Sequence, residues 1–315
     1  MLQVKVAVKR GALKVFENME NLIKQFEKRL IRYSSSEKEK IIKAALWSAE
    51  LHQEQQRASG EPYIIHPLKV AEILVDMELD SQTVIAALLH DILEDTSADP
   101  ETIRREYGKQ VETLVNGVTK ISILQAKSRS VQKSETMRKM LLAMTKDIRV
   151  ILIKLADKLH NMSTLEHQPA EKRKETAEEC LDIYAPLADR LGIFWLKAEL
   201  EDLSLKHLNS DIYYEIKDYL AENKTERRTY LKKVERAILS EARKEDTDIQ
   251  VSARAKHFYS IYRKMKIRNK DLNEIYDLLG VRILCSNLNE CYTILGIVHK
   301  LWPPIEGLIK DYIAM

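Results

Sequence analysis

The stretch Leu88-Leu89-His90-Asp91-Ile92-Leu93-Glu94-Asp95-Thr96 constrains this chain more than any other. Four groups that bind metals or move protons stand inside an apolar run. Residues four apart share a helix face. A helix here therefore stacks His90 over Glu94 and Asp91 over Asp95, with Leu88, Leu89, Ile92 and Leu93 on the buried side. Imidazole and carboxylate beside an apolar seam cost desolvation energy. A divalent cation offsets that cost, with His90 and Asp91 as ligands and Glu94 and Asp95 one turn further on. The plain alternative is a solvated acidic helix end.

Eight glycines and seven prolines in 315 residues leave few chain breaks and predict a mostly helical protein. The length suggests two domains, on a prior of ~150 residues each. A hydrophobic share of 45% suffices for a large core. A net charge of +3 gives no argument for nucleic-acid binding. Cys180, Cys285 and Cys291 form no CxxC motif, so neither a thiolate metal site nor a disulfide framework is expected, and the cytoplasm is the expected compartment. No apolar run reaches the ~18 residues that cross a bilayer, and the first residues lack a signal-peptide core.

Helical periodicity runs through Val15, Met19, Leu22, Ile23, Phe26 and Leu30. Ser36 followed by Glu37 predicts a cap for a helix from Lys38 to about Gln56. The Ser, Gly and Pro of 57–62 predict a loop, and Pro67 the first turn of a helix over 68–77. Ser81 opens the helix that ends in the His90-Asp91 seam. Asn116-Gly117 predicts a turn, 125–135 a mobile loop, and 137–145, 149–164, 184–191 and 196–208 further helices. Val281 to Cys285 predicts a buried strand.

A second cluster is Lys154-Leu155-Ala156-Asp157-Lys158-Leu159-His160-Asn161-Met162. Asp157 stands among apolar residues and needs a partner. Asn161 shares its face and adds no charge. Asp157 is a metal ligand or a core carboxylate paired with Lys154 or Lys158. On the ~100° helical step His160 projects away from Asn161 and is not expected to ligate. His52, His167, His207, His257 and His299 are expected at the surface or in packing. Taken together, His66, His90-Asp91 and Asp157 resemble the H…HD…D arrangement of HD-superfamily phosphohydrolases. Such a mixed nitrogen and oxygen set suits Mn²⁺, Fe²⁺ or Zn²⁺ better than Mg²⁺.

The surrounding motifs are more specific. They are Arg57-x-Ser59-Gly60-Glu61-Pro62-Tyr63-x-x-His66-Pro67, Leu89-His90-Asp91-x-x-Glu94-Asp95-Thr96, Gly117-Val118-Thr119-Lys120 and Leu155-Ala156-Asp157-Lys158-Leu159-His160-Asn161-Met162. They resemble the hydrolase domain of RelA/SpoT-type alarmone enzymes. The resemblance extends through Ile183-Tyr184-Ala185-Pro186-Leu187-Ala188-x-Arg190-Leu191-Gly192, Arg254-x-Lys256-x-x-x-Ser260-Ile261-Tyr262-x-Lys264-Met265 and Asp277-Leu278-Leu279-Gly280-Val281-Arg282 to Lys310-Asp311-Tyr312-Ile313-Ala314. It covers nearly the whole chain beyond the first thirty residues.

The resemblance implies an all-helical HD bundle over 1–200. Over 201–315 it implies linker helices and the first part of an α/β nucleotidyltransferase-like synthetase domain. It implies hydrolysis of the 3′-diphosphate of guanosine tetra- or pentaphosphate, with Mn²⁺ on His66, His90, Asp91 and Asp157. Glu94 and Asp95 match the family's catalytic acids. Arg57 matches the residue that stacks on guanine. Ser59, Asn161 and Thr164 match positions lining the nucleoside pocket. Lys120 is a candidate for the 5′-phosphates or a plain surface lysine.

Two positions depart from the family pattern, Ala58 where a lysine is usual and Glu54 where glycine is favoured. Neither touches the expected ligands. Arg254, Lys256, Ser260, Lys264 and Asp277 match the synthetase part, whose Mg²⁺ chemistry needs a second acid beyond Met315. A truncated fragment without pyrophosphokinase activity is therefore expected. No membrane or direct nucleic-acid partner is expected, and any ribosome contact would fall to regions outside these residues. The alternatives are an HD phosphohydrolase for another nucleotide and a non-catalytic module that senses alarmone.

Overall fold

The computed structural model describes residues 19, 21–122, 146–222, 224–275, 278–305, 307 and 309–312. Val15, the expected loop over 125–135, the expected helix over 137–145 and Asp277 lie outside the described residues. The chain divides into two compact units, Met1–Leu208 and Asn209–Met315.

In the first unit all the described elements are helical. Helix α1 is Ser35–Leu51. Its cap is Ser34, two residues ahead of Ser36. The Glu37 N–H donates to Ser34 Oγ and the Ser34 N–H donates to Glu37 Oε2, so two otherwise unpaired donors are satisfied. The helix also stops at Leu51, well short of Gln56. Helix α2 is Ile65–Asp76, α3 is Ser81–Leu88, α4 is Ile92–Asp95, α5 is Pro100–Tyr107, α6 is Lys109–Ser122 and α7 is Arg149–Ser163. Helix α8, Ala170–Glu179, runs through a wide π turn at Cys180–Tyr184 into α9, Ala185–Arg190, and α10 is Phe194–Leu208.

One apolar core joins these helices. Ile41 and Ala45 of α1, Val70 and Leu74 of α2, Val84 and Leu88 of α3, Leu114 and Val118 of α6, and Ile151 and Leu155 of α7 are all buried in it. Two local expectations fail for packing reasons. Asn116-Gly117 is no turn, because α6 runs straight through it. A Cβ on Gly117 would stand 2.8 Å from Cγ2 of Val150, so the glycine is there to let α6 approach α7. The seam around His90 is also not one helix. Helix α3 ends at Leu88, residues 89–91 turn, and α4 is a single turn. That break carries His90 into the core, fully buried, and leaves Glu94 exposed. Asp91 and Asp95 keep one helical link, as the Asp95 N–H donates to the Asp91 carbonyl at 2.9 Å.

The second unit holds α11 (Ser210–Glu222), α12 (Lys224–Lys244), β1 (Gln250–Ala255), α13 (Phe258–Arg268), β2 (Leu279–Leu284) and α14 (Leu288–Leu301). The strands pair antiparallel, Gln250 opposite Leu284 and Ala255 opposite Leu279. Ile238, Ala242, Ile294 and Ile297 make a small core on which Val251 and Ile283 pack. Strand β2 is not buried throughout as the apolar run predicts. Val281 and Leu284, which point to opposite faces, are both exposed, and Ile283 is the strand residue that packs on the small core. The fold is mainly α with one small sheet. Among the described residues no helix is long and apolar enough to cross a membrane.

Candidate active site

Three segments of the first unit meet at one point. The loop of 57–62 closes on itself, with the Gly60 N–H donating to the Arg57 carbonyl at 2.8 Å and Gly60 at φ +83°, where glycine carries no steric penalty. It delivers His66 into the first turn of α2. The break between α3 and α4 delivers His90 and Asp91. Helix α7 delivers Asp157, His160 and Asn161.

Ligand atoms of His66, His90 and Asp157 all lie within 4.8 Å of one another, and all three residues are buried. His66 Nε2 stands 3.2 Å from Asp157 Oδ1 and 3.5 Å from Asp91 Oδ2. His90 Nε2 stands 3.1 Å from Asp91 Oδ1 and 3.8 Å from Asp157 Oδ1. The other oxygen of Asp157 takes the Lys154 ammonium at 2.8 Å. Asp157 thus has the lysine partner and still turns one oxygen to the histidines. Lys158 pairs elsewhere, with Glu179 at 2.7 Å.

This arrangement fits a divalent cation. His90 Nδ1 lies 2.8 Å from the Ala87 carbonyl and donates to it, so in the neutral ring that a cation binds the lone pair is on Nε2. That Nε2 is buried without a hydrogen-bond partner and faces two carboxylates. Burial disfavours a charge on His90, but the Asp91 and Asp157 carboxylates outweigh it and push its pKa up to about 9. Burial works against Asp91 and Asp157 as well. The His90 charge beside Asp91, and Lys154 beside Asp157, still hold both carboxyls below the usual range. Positive charge belongs between these groups.

Beside this cluster stands Tyr63, whose hydroxyl lies 2.8 Å from Asp91 Oδ2 and 2.8 Å from Asp95 Oδ2. Its ring stacks on His52 with centroids 4.5 Å apart. Gln55 receives His52 Nδ1 at 2.8 Å and donates to the Asp95 carbonyl at 2.8 Å. The turn that carries the acids is therefore tied back to the loop after α1. Glu94 lies on the same turn and faces solvent.

Arg57 reaches the other side of the cluster. Its Nη2 donates to Asn161 Oδ1 at 2.6 Å, and its Nη1 lies 3.3 Å from His160 Nδ1. Asn161 Nδ2 donates to Asp157 Oδ1 at 2.5 Å, and His160 Nδ1 lies 2.8 Å from His66 Nδ1. Burial, the neighbouring His66 and the Arg57 charge push the pKa of His160 down to about 3, so its ring is neutral.

Not every expected residue joins this network. Ser59 Oγ donates to Glu61 within its own loop, and Thr164 Oγ1 donates to the carbonyls of His160 and Asn161 at the end of α7. Lys120, Ala58 and Glu54 are exposed. In the second unit, Arg254 has its backbone on β1 opposite Gly280, Lys256 follows the strand, and Ser260 and Lys264 lie on α13 with Ser260 Oγ donating to the His257 carbonyl. Sequence reasoning gave no role to Tyr63 or Gln55, and set His160 aside as a ligand without seeing its contact with His66. Tyr63 stood inside the loop motif, three residues before His66, the spacing that brings two side chains to one face.

Residues 44–194 match the family described as "HD domain", and residues 253–315 match the family described as "Region found in RelA / SpoT proteins". A guanosine-3′,5′-bis(diphosphate) 3′-pyrophosphohydrolase of Borreliella burgdorferi is 49% identical over 278 residues, 88% of this chain and 42% of that protein. The chain belongs to the RelA/SpoT family. A GTP pyrophosphokinase of Myxococcus xanthus is 45% identical to this RelA/SpoT chain over 278 residues, 87% of it and 37% of the relative. A guanosine-3′,5′-bis(diphosphate) 3′-pyrophosphohydrolase of Aquifex aeolicus is 41% identical over 308 residues, 98% of this chain and 43% of the relative. The RelA/SpoT chain described here spans less than half the length of these curated relatives.

Proposed function

We propose that this chain hydrolyses the 3′-diphosphate of guanosine tetra- or pentaphosphate, releasing pyrophosphate and GDP or GTP, in the cytoplasm. The observation that carries the reading is the buried, unpartnered Nε2 of His90 facing Asp91 and Asp157 beside His66, within a matched HD domain. The names of the B. burgdorferi and A. aeolicus relatives support the substrate.

His66, His90, Asp91 and Asp157 would hold one divalent cation, and their nitrogen and oxygen set suits Mn²⁺. When bound, the cation supplies Lewis-acid polarisation of a phosphoryl oxygen and a lowered proton affinity for water. Asp95 and Glu94 orient the attacking water and take its proton. Tyr63 holds Asp95 in place through its hydroxyl. Arg57, whose planar cation suits a purine face, with Ser59, Asn161 and Thr164 receives the nucleoside. Residues 253–315 belong to the synthetase side of the family pattern. Asp277 among them is a candidate carboxylate for a second cation.

The test is pyrophosphate release from guanosine tetraphosphate, with and without Mn²⁺, beside Asp95→Asn. Mn²⁺-dependent release that Asp95→Asn lacks is expected. No release from the wild-type chain with Mn²⁺ bound would overturn the hydrolase reading. Equal turnover of deoxynucleoside triphosphates would move the site to another nucleotide.

A further inference from the structure

Arg57 has no hydrogen bond to His66 or Asp157, yet it stands one residue removed from each. Its guanidinium carries only donors. Nη1 lies 3.3 Å from His160 Nδ1, so that nitrogen turns a lone pair toward it. The same His160 Nδ1 lies 2.8 Å from His66 Nδ1. Two lone pairs at that distance repel, so the hydrogen sits on His66 Nδ1 and is donated to His160. A neutral imidazole carries one N–H. In the neutral ring His66 Nε2 then keeps its lone pair, which faces Asp157 and Asp91 across the place of the proposed cation. On the second branch, Arg57 Nη2 donates to Asn161 Oδ1, which fixes the amide with its nitrogen toward Asp157 Oδ1.

We propose that His160 and Asn161 are positioning residues for the metal ligands His66 and Asp157, and that the Arg57 guanidinium sets both. His160 selects the His66 tautomer that can ligate. Asn161 aims the carboxylate oxygen that faces both histidines. Arg57 acts on the metal centre before any nucleotide arrives, in addition to whatever it does to the base. The inference rests on the reading of His66, His90, Asp91 and Asp157 as a cation site. A role in guanine stacking alone asks nothing of His160.

The experiment is Mn²⁺ binding to the 315-residue chain by isothermal titration calorimetry, with no nucleotide present. The variants are His160→Phe, His160→Asn and Arg57→Leu, with circular dichroism to report folding. Outer-shell partners of metal ligands typically carry 10–100-fold in affinity. His160→Phe and Arg57→Leu are expected to weaken Mn²⁺ binding by about that range. Asparagine sets its Oδ1 near the place of Nδ1, so His160→Asn is expected to recover most of the loss. Arg57→Leu lies in a loop outside the core, so it decides the matter if His160→Phe fails to fold. Wild-type affinity in both His160→Phe and Arg57→Leu overturns the proposal and leaves the metal site standing. Loss in His160→Phe without loss in Arg57→Leu overturns the part given to Arg57. No Mn²⁺ binding by the wild-type chain overturns the metal site, and this proposal with it.

Discussion

The hydroxyl of Tyr63 lies 2.8 Å from the carboxylate of Asp95. It lies equally close to Asp91, and a phenol has one hydrogen to give. Once Asp91 turns its charge to a cation, that hydrogen is left to Asp95. Tyr63→Phe is therefore expected to lower kcat with little change in KM, because the base loses its fixed direction and the nucleoside contacts stay. Asp95→Asn removes the proposed base and is expected to cost about 10²–10⁴-fold. Initial rates of pyrophosphate release across substrate concentrations check both.

Ligand binding to the folded state alone adds stability by mass action. Mn²⁺ at a hundred times its Kd is expected to stabilise the wild-type chain by about 2.7 kcal/mol. His90→Ala and Asp157→Asn are expected to lose this gain. Thermal unfolding with and without Mn²⁺ reads it directly, and stripping with EDTA followed by Mn²⁺ should remove and restore pyrophosphate release.

Gly117 stands where α6 comes close to Val150 of α7. Alanine in a helix gains about 1 kcal/mol over glycine. Here its Cβ meets Val150, whose short branched side chain cannot swing aside, at 2.8 Å. Overpacking of this kind costs about 1–3 kcal/mol. Gly117→Ala is expected to destabilise, and to become neutral or stabilising in a Val150→Ala background. Urea unfolding of the four chains measures the coupling.

Acid should weaken the start of α3. Asp80 caps that helix through the Thr83 N–H at 3.0 Å and meets Arg149 at 3.3 Å. Burial pushes the Asp80 pKa up, but its bonds to Thr83 and the Arg149 charge outweigh it and hold the carboxyl below the usual range. Asp147 is lowered by its bonds to the same arginine. A carboxyl depressed in the folded state contributes stability above its unfolded pKa and loses it as pH falls through the folded value. Urea midpoints are expected to fall below about pH 4. Asp80→Asn, which keeps a cap oxygen and loses the charge, should flatten that fall.

The helices and the polar cluster of the first unit were legible because their signals are local. Apolar spacing marked α2, α3 and α7, and His66, His90-Asp91 and Asp157 stood out as polar groups in apolar runs. What stayed hidden depends on what packs across. Gly117 reads as a turn until Val150 is seen beside it. His160 projects away from the face of Asn161 on its own helix, yet α2 brings His66 to it from another direction. Tyr63 carries no charge, so nothing in its own chemistry announced two carboxylates at its hydroxyl. The break after Leu88 was hidden too, because its residues are all good helix formers or short polar ones and the reason for the turn lies in burying His90.

That break sets a gradient of polarity along five residues. His90 at one end is in dry protein and Glu94 at the other is in water. The grip on a cation is strongest where the dielectric is low. A carboxylate that trades protons with solvent works best where water refills it at once. By crossing from core to surface in a single short step, the chain sets its proposed cation ligand in the dry medium and its proposed acid in the wet one.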